Sequence, residues 1–229
     1  MSDFQKFRKK AQGGRIKSLS EDYFRYFSIY LTWLFVRTPL TGNQITFIWI
    51  LFGFASVISF AIGGYKFVLL GGFLYFMRHT LDRVDGEVAR YRGQQSIKGK
   101  IYDLCGHWLY EPLLFIGVAI GFFRTTGQWW LFIPAFFALY GYYLTDVINL
   151  AISVHKPKTK IIVSKHQPVQ EDIKVKMYLF LRKLFLLDYF HVVLLICAIF
   201  NVMWLFVIIN FIGFNFVWFV RLMSLIFRE

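Results

Sequence analysis

Residues 82–103 read DRVDGEVARYRGQQSIKGKIYD, placing Asp82, Asp85 and Asp103 together with Gly86, Gly93 and Gly99 between apolar flanks. An ionisable side chain inside a membrane span costs ~2.5–3.5 kcal/mol even on the lenient insertion scale. Three acids where apolar helices begin and end therefore require a compensating partner. A divalent cation is the simplest one.

The flanks decide the fold. The chain has 229 residues, is 57% hydrophobic and contains 28 Phe, and these residues are concentrated in long runs. Six runs, near 44–63, 66–82, 100–122, 129–153, 185–205 and 207–227, approach the ~20 residues that a bilayer requires. The expectation is an all-α integral membrane protein with six transmembrane helices. The last 45 or so residues are about twice too long for one span at ~1.5 Å per residue. They must break near Asn201 or between Asn210 and Gly213.

Ahead of the first run, residues 21–37 carry Asp22, Arg25, Ser28 and Thr32 on one side and aromatic or aliphatic residues on the other. This pattern predicts an amphipathic helix lying in the inner interface; the other reading is a first span ending at Arg37. Ser18 and Glu21 stand at capping-box spacing before it. Residues 1–17 read as a mobile basic tail. The domain division is then 1–20, a basic cytoplasmic tail, and 21–229, one membrane domain. The basic segment 155–176 is expected to be a solvated loop and membrane anchor.

A net charge of +13 raises nucleic acid as a partner, but the distribution of charge points to lipid. With six spans, only Lys66 and Arg124 of the 26 Lys and Arg fall in outer loops. That is the positive-inside pattern. It places both termini and residues 82–103 at the cytoplasmic face of an inner or plasma membrane, against an anionic leaflet. Cys105 and Cys197 lack metal-type spacing and are expected to stay reduced. The first twenty residues have no apolar core, so no cleavable signal peptide is expected.

On a helix, Asp82, Asp85, Gly86 and Ala89 fall within about 100° of arc. Gly99, Asp103 and His107 repeat that logic at i, i+4 and i+8 on the next helix. Two antiparallel helices with these faces together would hold one or two metal ions among Asp82, Asp85, Asp103 and His107. Oxygen ligation suits Mg²⁺ or Mn²⁺. The small residues leave room beside the metal for a diphosphate.

The pattern D-x2-D-G-x2-A-R-x8-G-x3-D-x3-D marks the CDP-alcohol phosphotransferases, six-span membrane enzymes, and this chain resembles them. Asp82, Asp85, Gly86, Ala89, Arg90, Gly99 and Asp103 stand at its spacing. Seven specified positions at roughly 5–7% usage each coincide by chance about once in 10⁹ starts. Asn43 and Thr46 resemble the family's Asn-x-x-Thr element near the nucleotide. The resemblance implies transfer of a phosphoryl-linked alcohol from a CDP-alcohol to an acceptor hydroxyl, with release of CMP, in phospholipid or glycolipid synthesis. One of the two substrates would be lipidic. It also implies a homodimer. In this scheme Asn43, Thr46, Asp82, Gly86, Ala89, Arg90 and Gly99 would bind the nucleotide end of the donor. Asp82, Asp85 and Asp103 would hold the metal.

One position departs from the pattern: its last Asp is His107 here. In the family that Asp is the general base and a ligand of the second metal. His107 would then serve as base, or its neutral ring would weaken the second metal site, or turnover would be lost and a binding protein remain. An intramembrane prenyltransferase is the competing enzyme class, but it requires a second Asp-rich motif, and the sequence has none. For the acceptor, Asp146 aligns with Tyr142 and Asn149, as a functional carboxylate or as a partner of Arg78, His79 or Arg90. Arg78, Lys98, Arg182 and Lys183 are candidates for a substrate phosphate, or else interface anchors. Trp129 and Trp130 suit an interfacial aromatic belt.

Overall fold

The computed structural model describes residues 2–13, 23–155 and 190–226, and among them every regular element is an α-helix. The order is α1 (Asp3–Gln12), α2 (Tyr23–Phe35), α3 (Gly42–Ile62), α4 (Tyr65–Arg92), α5 (Ile97–Thr126), α6 (Phe132–His155), α7 (Phe190–Ile199) and α8 (Met203–Ile226). Three are long and apolar enough to cross a membrane: α3, α5 and the Met203–Met223 part of α8. The expectations for Ser18, Glu21 and Asp22, for residues 156–176, and for Arg182 and Lys183 lie outside the described residues.

Each boundary has a local cause. Thr41 caps α3 in a reciprocal capping box with Gln44. Gly63 and Gly64, at φ +79° and +78°, reverse the chain into α4 with a backbone that L side chains disfavour. The expected run 66–82 is only the first part of α4, which continues unbroken through the charged segment to Arg92. At ~1.5 Å per residue this helix is about 42 Å long. That is longer than a ~30 Å hydrocarbon layer, and its charged last turns continue on the same rigid rod as its apolar part. Ser96 opens α5 by accepting from the Gly99 amide.

The break before the last helix falls at Asn201, in left-handed conformation at φ 56°. Asn210 and Gly213 lie inside α8, where the Asn210 side chain donates back to the Phe206 carbonyl at 2.7 Å.

The core forms where α3, α4 and α5 meet α6 to α8, around Trp49, Tyr75, Tyr110, Phe115 and Phe206. α3 and α5 approach so closely that a Cβ on Gly121 would collide with the Phe60 carbonyl oxygen. Without strong hydrophobic drive between helices in lipid, such backbone contact supplies the packing. Pro112 sits inside α5 and has no N–H to give to the Trp108 carbonyl. Tyr143 of α6 donates its hydroxyl to that carbonyl at 2.8 Å instead. Outward, Phe47, Leu51, Ile58, Phe73 and Phe136 are exposed, an apolar surface suited to lipid.

Two expectations about the N-terminal region change. Residues 3–12 form a helix where a mobile tail was expected. Ser2 and Gln5 make a capping box, and Phe7 and Ala11 bury against Ile29 and Tyr91. The amphipathic helix α2 is present, but Ser28 and Thr32 of its polar side are fully buried, while Phe27, Tyr30 and Leu34 face outward. The polar stripe meets a polar partner on α4, which leaves the apolar stripe exposed.

Candidate functional site

The last turns of α4 lie beside the first turns of α5, and the face periodicities combine there. Asp82, Asp103 and His107 offer ligand atoms that all lie within 4.8 Å of one another. His107 Nε2 is 3.2 Å from Asp82 Oδ1 and 3.7 Å from Asp103 Oδ1. The buried oxygen Asp103 Oδ1 has no hydrogen-bond partner. A buried carboxylate oxygen without a donor is costly, and two carboxylates with an imidazole form a donor set that a divalent cation satisfies. The residues thus fit a metal ion.

Asp85, expected as a ligand beside Asp82 and Asp103, lies outside that group. Its Oδ2 accepts from Thr46 Oγ1 at 2.6 Å and from the Trp49 indole at 2.8 Å, which fastens α4 to α3. Thr46 is therefore engaged with Asp85 as well as lining a cavity.

Two cavities meet at this group. The smaller, about 210 Å³, is lined by Asn43, Thr46, Asp85, Gly86, Ala89, Arg90, Gly99, Lys100 and Asp103. It gathers six of the seven residues expected at the nucleotide; Asp82 faces the other cavity. Gly99 matters sterically, since a Cβ there would stand 3.0 Å from Asn43 Oδ1. Lys100 lines this cavity, whereas exposed Lys98 lies over the Tyr102 ring. The larger cavity, about 500 Å³, is bounded by Arg25, Arg83 and Arg90, by Asp82, Asp103 and His107, and by Asp146 and His191. Asp85, Gly86, Arg90 and Asp103 border both.

Beneath the carboxylates the network deepens. Arg78, expected to meet a substrate phosphate, is fully buried instead. Its guanidinium lies over the Trp49 and Tyr110 rings, 3.3 Å from Glu111 and 2.9 Å from His107 Nδ1. Asp146 accepts from the Trp108 indole at 3.0 Å, and not from Arg78, His79 or Arg90 as the pairing reading supposed.

Two buried acids escaped the sequence reading. Glu111 stands one turn beyond His107, a spacing that could have found it. Glu87 accepts from Gln12 and Ser28, both at 2.9 Å, and from Thr32 at 2.6 Å. Those partners are 55 to 75 residues away, and no local pattern marks them. Arg92 likewise donates to the carbonyls of Leu40, Phe35, Val36 and Thr38, holding the α2–α3 connection.

The family model for CDP-alcohol phosphatidyltransferases matches residues 40–209. The chain belongs to that family. Its members transfer substituted phosphate groups, so the CDP-alcohol phosphatidyltransferase match and the apolar helices together make this an integral membrane protein of a lipid-biosynthetic transferase family. The family is typically dependent on divalent metal, in keeping with the Asp82, Asp103 and His107 group. No curated protein matches the chain.

Proposed function

We propose that this protein transfers a phosphoryl-linked alcohol from a CDP-alcohol to an acceptor hydroxyl and releases CMP, with one of the two substrates a lipid. The observation that carries the reading is the Asp82, Asp103 and His107 group, with its orphaned oxygen, at the seam between two cavities. Displacement at phosphorus needs its nucleophile and leaving group on opposite sides, and two cavities meeting at one carboxylate cluster provide them.

Asn43, Thr46, Gly86, Ala89, Arg90 and Gly99 bind the nucleotide end in the smaller cavity. The acceptor occupies the larger one, beside Asp146. Asp82, Asp103 and His107 Nε2 would hold Mg²⁺ or Mn²⁺, joined by Asp85 through the oxygen that Thr46 and Trp49 leave free, and the ion would supply positive charge against the diphosphate and the departing CMP. The Thr46 and Trp49 hydrogen bonds hold Asp85 in place against α3. Asp103, through the oxygen that has no donor, accepts the acceptor's proton as the acceptor's oxygen bonds to the β-phosphorus. The bond from that phosphorus to the CMP oxygen breaks, and its electron pair leaves with CMP.

The topology accompanying this reading has six spans. Gly99 beside Asn43 puts the starts of α5 and α3 on one face, and Gly121 beside Phe60 puts their ends on the other. In this reading α4 would cross between them. The Trp108–Asp146 bond brings the end of α6 back to the start of α5. The Tyr65 hydroxyl donates to the Ile199 carbonyl, which is consistent with α7 ending at the far face and α8 returning from it. The carboxylates face the cytoplasm, by the positive-inside pattern, of an inner or plasma membrane. The protein is a homodimer by family resemblance.

The test is CMP release by purified protein across CDP-alcohol donors and acceptors with Mg²⁺ or Mn²⁺. Release well above an Asp82→Ala control is expected for at least one pair; none above it would end the enzyme reading.

A further inference from the structure

We propose that Glu111 is a positioning residue that orients the His107 imidazole toward the α4 and α5 carboxylates. The role rests on the reading that residue 107 acts at that group. His107 is flanked on both ring nitrogens. Glu111 Oε1 lies 2.9 Å from Nδ1, and Asp82 Oδ1 lies 3.2 Å from Nε2. Arg78, which can only donate, stands 2.9 Å from Nδ1 through Nη2 and 3.3 Å from Glu111 Oε1 through Nη1, so a proton kept on Nδ1 directs the guanidinium to the carboxylate. Glu111 accepts at Nδ1 and Asp82 at Nε2; an ion held by Asp82 and Asp103 would take the Nε2 lone pair, which leaves the ring proton to Glu111. As an acceptor it retains the proton on Nδ1 and leaves Nε2 as the nitrogen presented to Asp82 and Asp103. A carboxylate behind an imidazole fixes both tautomer and ring orientation.

The carboxylate is itself immobilised. Glu111 is buried; its Oε1 also accepts from the Tyr110 hydroxyl at 3.1 Å, and its Oε2 accepts from Tyr142 of α6 at 2.6 Å. Arg78 lies 3.3 Å away and balances its charge. The orienting acid is thus braced from α4, α5 and α6, whereas a side chain kept only for an ion pair would need Arg78 alone. The Pro112 gap in the α5 ladder, filled by Tyr143, holds α6 at the height where Tyr142 reaches Glu111.

The test is a two-by-two series: wild type, Glu111→Gln, His107→Asp and the double variant. Binding of Mn²⁺ alone is followed by electron paramagnetic resonance, and CMP release by kcat and KM. In the wild-type background Glu111→Gln should weaken Mn²⁺ binding and lower kcat, each by ~10–100-fold. KM for the CDP-alcohol should stay within about 2-fold. In the His107→Asp background the same change should cost no more than about 2-fold, because the ring through which Glu111 acts is gone. Equal losses in both backgrounds, or no loss in the first, would overturn the proposal and leave Glu111 as the Arg78 counter-charge.

If Glu111→Gln does not yield monodisperse protein, Tyr142→Phe replaces it. That variant keeps the carboxylate and removes one brace, so a smaller loss confined to the His107 background is expected, and equal losses again refute. Should the wild type release no CMP from any donor, the reaction assignment fails, while the Mn²⁺ arm still decides the role of Glu111.

Discussion

Glu87→Leu tests how the motif helix is held. Glu87 is 1% exposed and is the polar partner that turns α2 inward. Its carboxylate accepts from α1 through Gln12 and from α2 through Ser28 and Thr32. Leucine would leave three buried donors facing an apolar group, at ~1–3 kcal/mol for each that finds nothing else. Two have an alternative: Gln12 already donates to the Arg25 carbonyl at 2.9 Å, and Ser28 reaches that carbonyl at 3.4 Å. Thr32 carries the shortest bond and loses most. Allowing for those alternatives and for the apolar gain of leucine, the net cost is ~2–3 kcal/mol. For a chain of this size that lowers the melting temperature by roughly 5–10 °C. A thermal melt in detergent reads the shift, and hydrogen exchange reads the place. Faster exchange should be confined to α1 and α2, with α5 to α8 unchanged. Melting within about 1 °C of wild type, with α1 and α2 equally protected, would refute the idea that Glu87 anchors them.

The remaining expectations concern the site itself. Asp103→Asn keeps the shape and removes the charge on the orphaned oxygen. Wild type should gain ~2.7 kcal/mol of stability at Mn²⁺ one hundredfold above its dissociation constant. The variant should gain little under the same conditions, read as Mn²⁺-dependent melting. Gly99→Val places branched carbons beside Asn43 Oδ1, 3.0 Å from the new Cβ, at the wall of the smaller cavity. KM for the CDP-alcohol should rise by at least tenfold with a smaller change in kcat, and an unchanged KM would move the nucleotide elsewhere.

What the sequence revealed and what it hid divide along sequence separation. The face of Asp82, Asp85, Gly86 and Ala89, and that of Gly99, Asp103 and His107, were legible because helical periodicity places neighbours three and four residues apart. The apolar runs were legible as helices but not in extent. A charged turn ends a hydropathy run without ending a helix, so α4 continues ten residues past the expected limit at residue 82. The orientation of α2 was hidden for another reason. Amphipathicity defines two faces, not what each meets, and Glu87, which claims the polar face, is 55 residues from Thr32. Arg78 looked like a phosphate anchor because its cradle of Trp49, Tyr110 and Glu111 comes from two other helices. Asp85 looked equivalent to Asp82 until Trp49 and Thr46 engaged it from α3.

The order of charges along α4 and α5 follows from the membrane. The Asp103 side chain is 46% exposed at the mouth, His107 27%, Asp82 12%, Glu111 7% and Arg78 0%. Pairing tightens in the same direction. At the base Arg78 faces Glu111, one cation against one anion, with Tyr110 and Tyr142 occupying the carboxylate; water is scarce there, and an unbalanced charge would be most costly. Toward the mouth the balance inverts, with Asp82 and Asp103 crowded near one imidazole and one oxygen left without a donor. Such an excess of negative charge is tolerable only where solvent or a cation can reach it. The same gradient that permits a charge-balanced floor thus leaves an anionic mouth, where one divalent ion would offset Asp82 and Asp103 and an anionic diphosphate could enter beside those carboxylates only with the ion in place. Substrate and metal should accordingly bind cooperatively: raising the CDP-alcohol concentration should lower the apparent dissociation constant for Mn²⁺, and independent binding of the two would contradict this reading of the charge order.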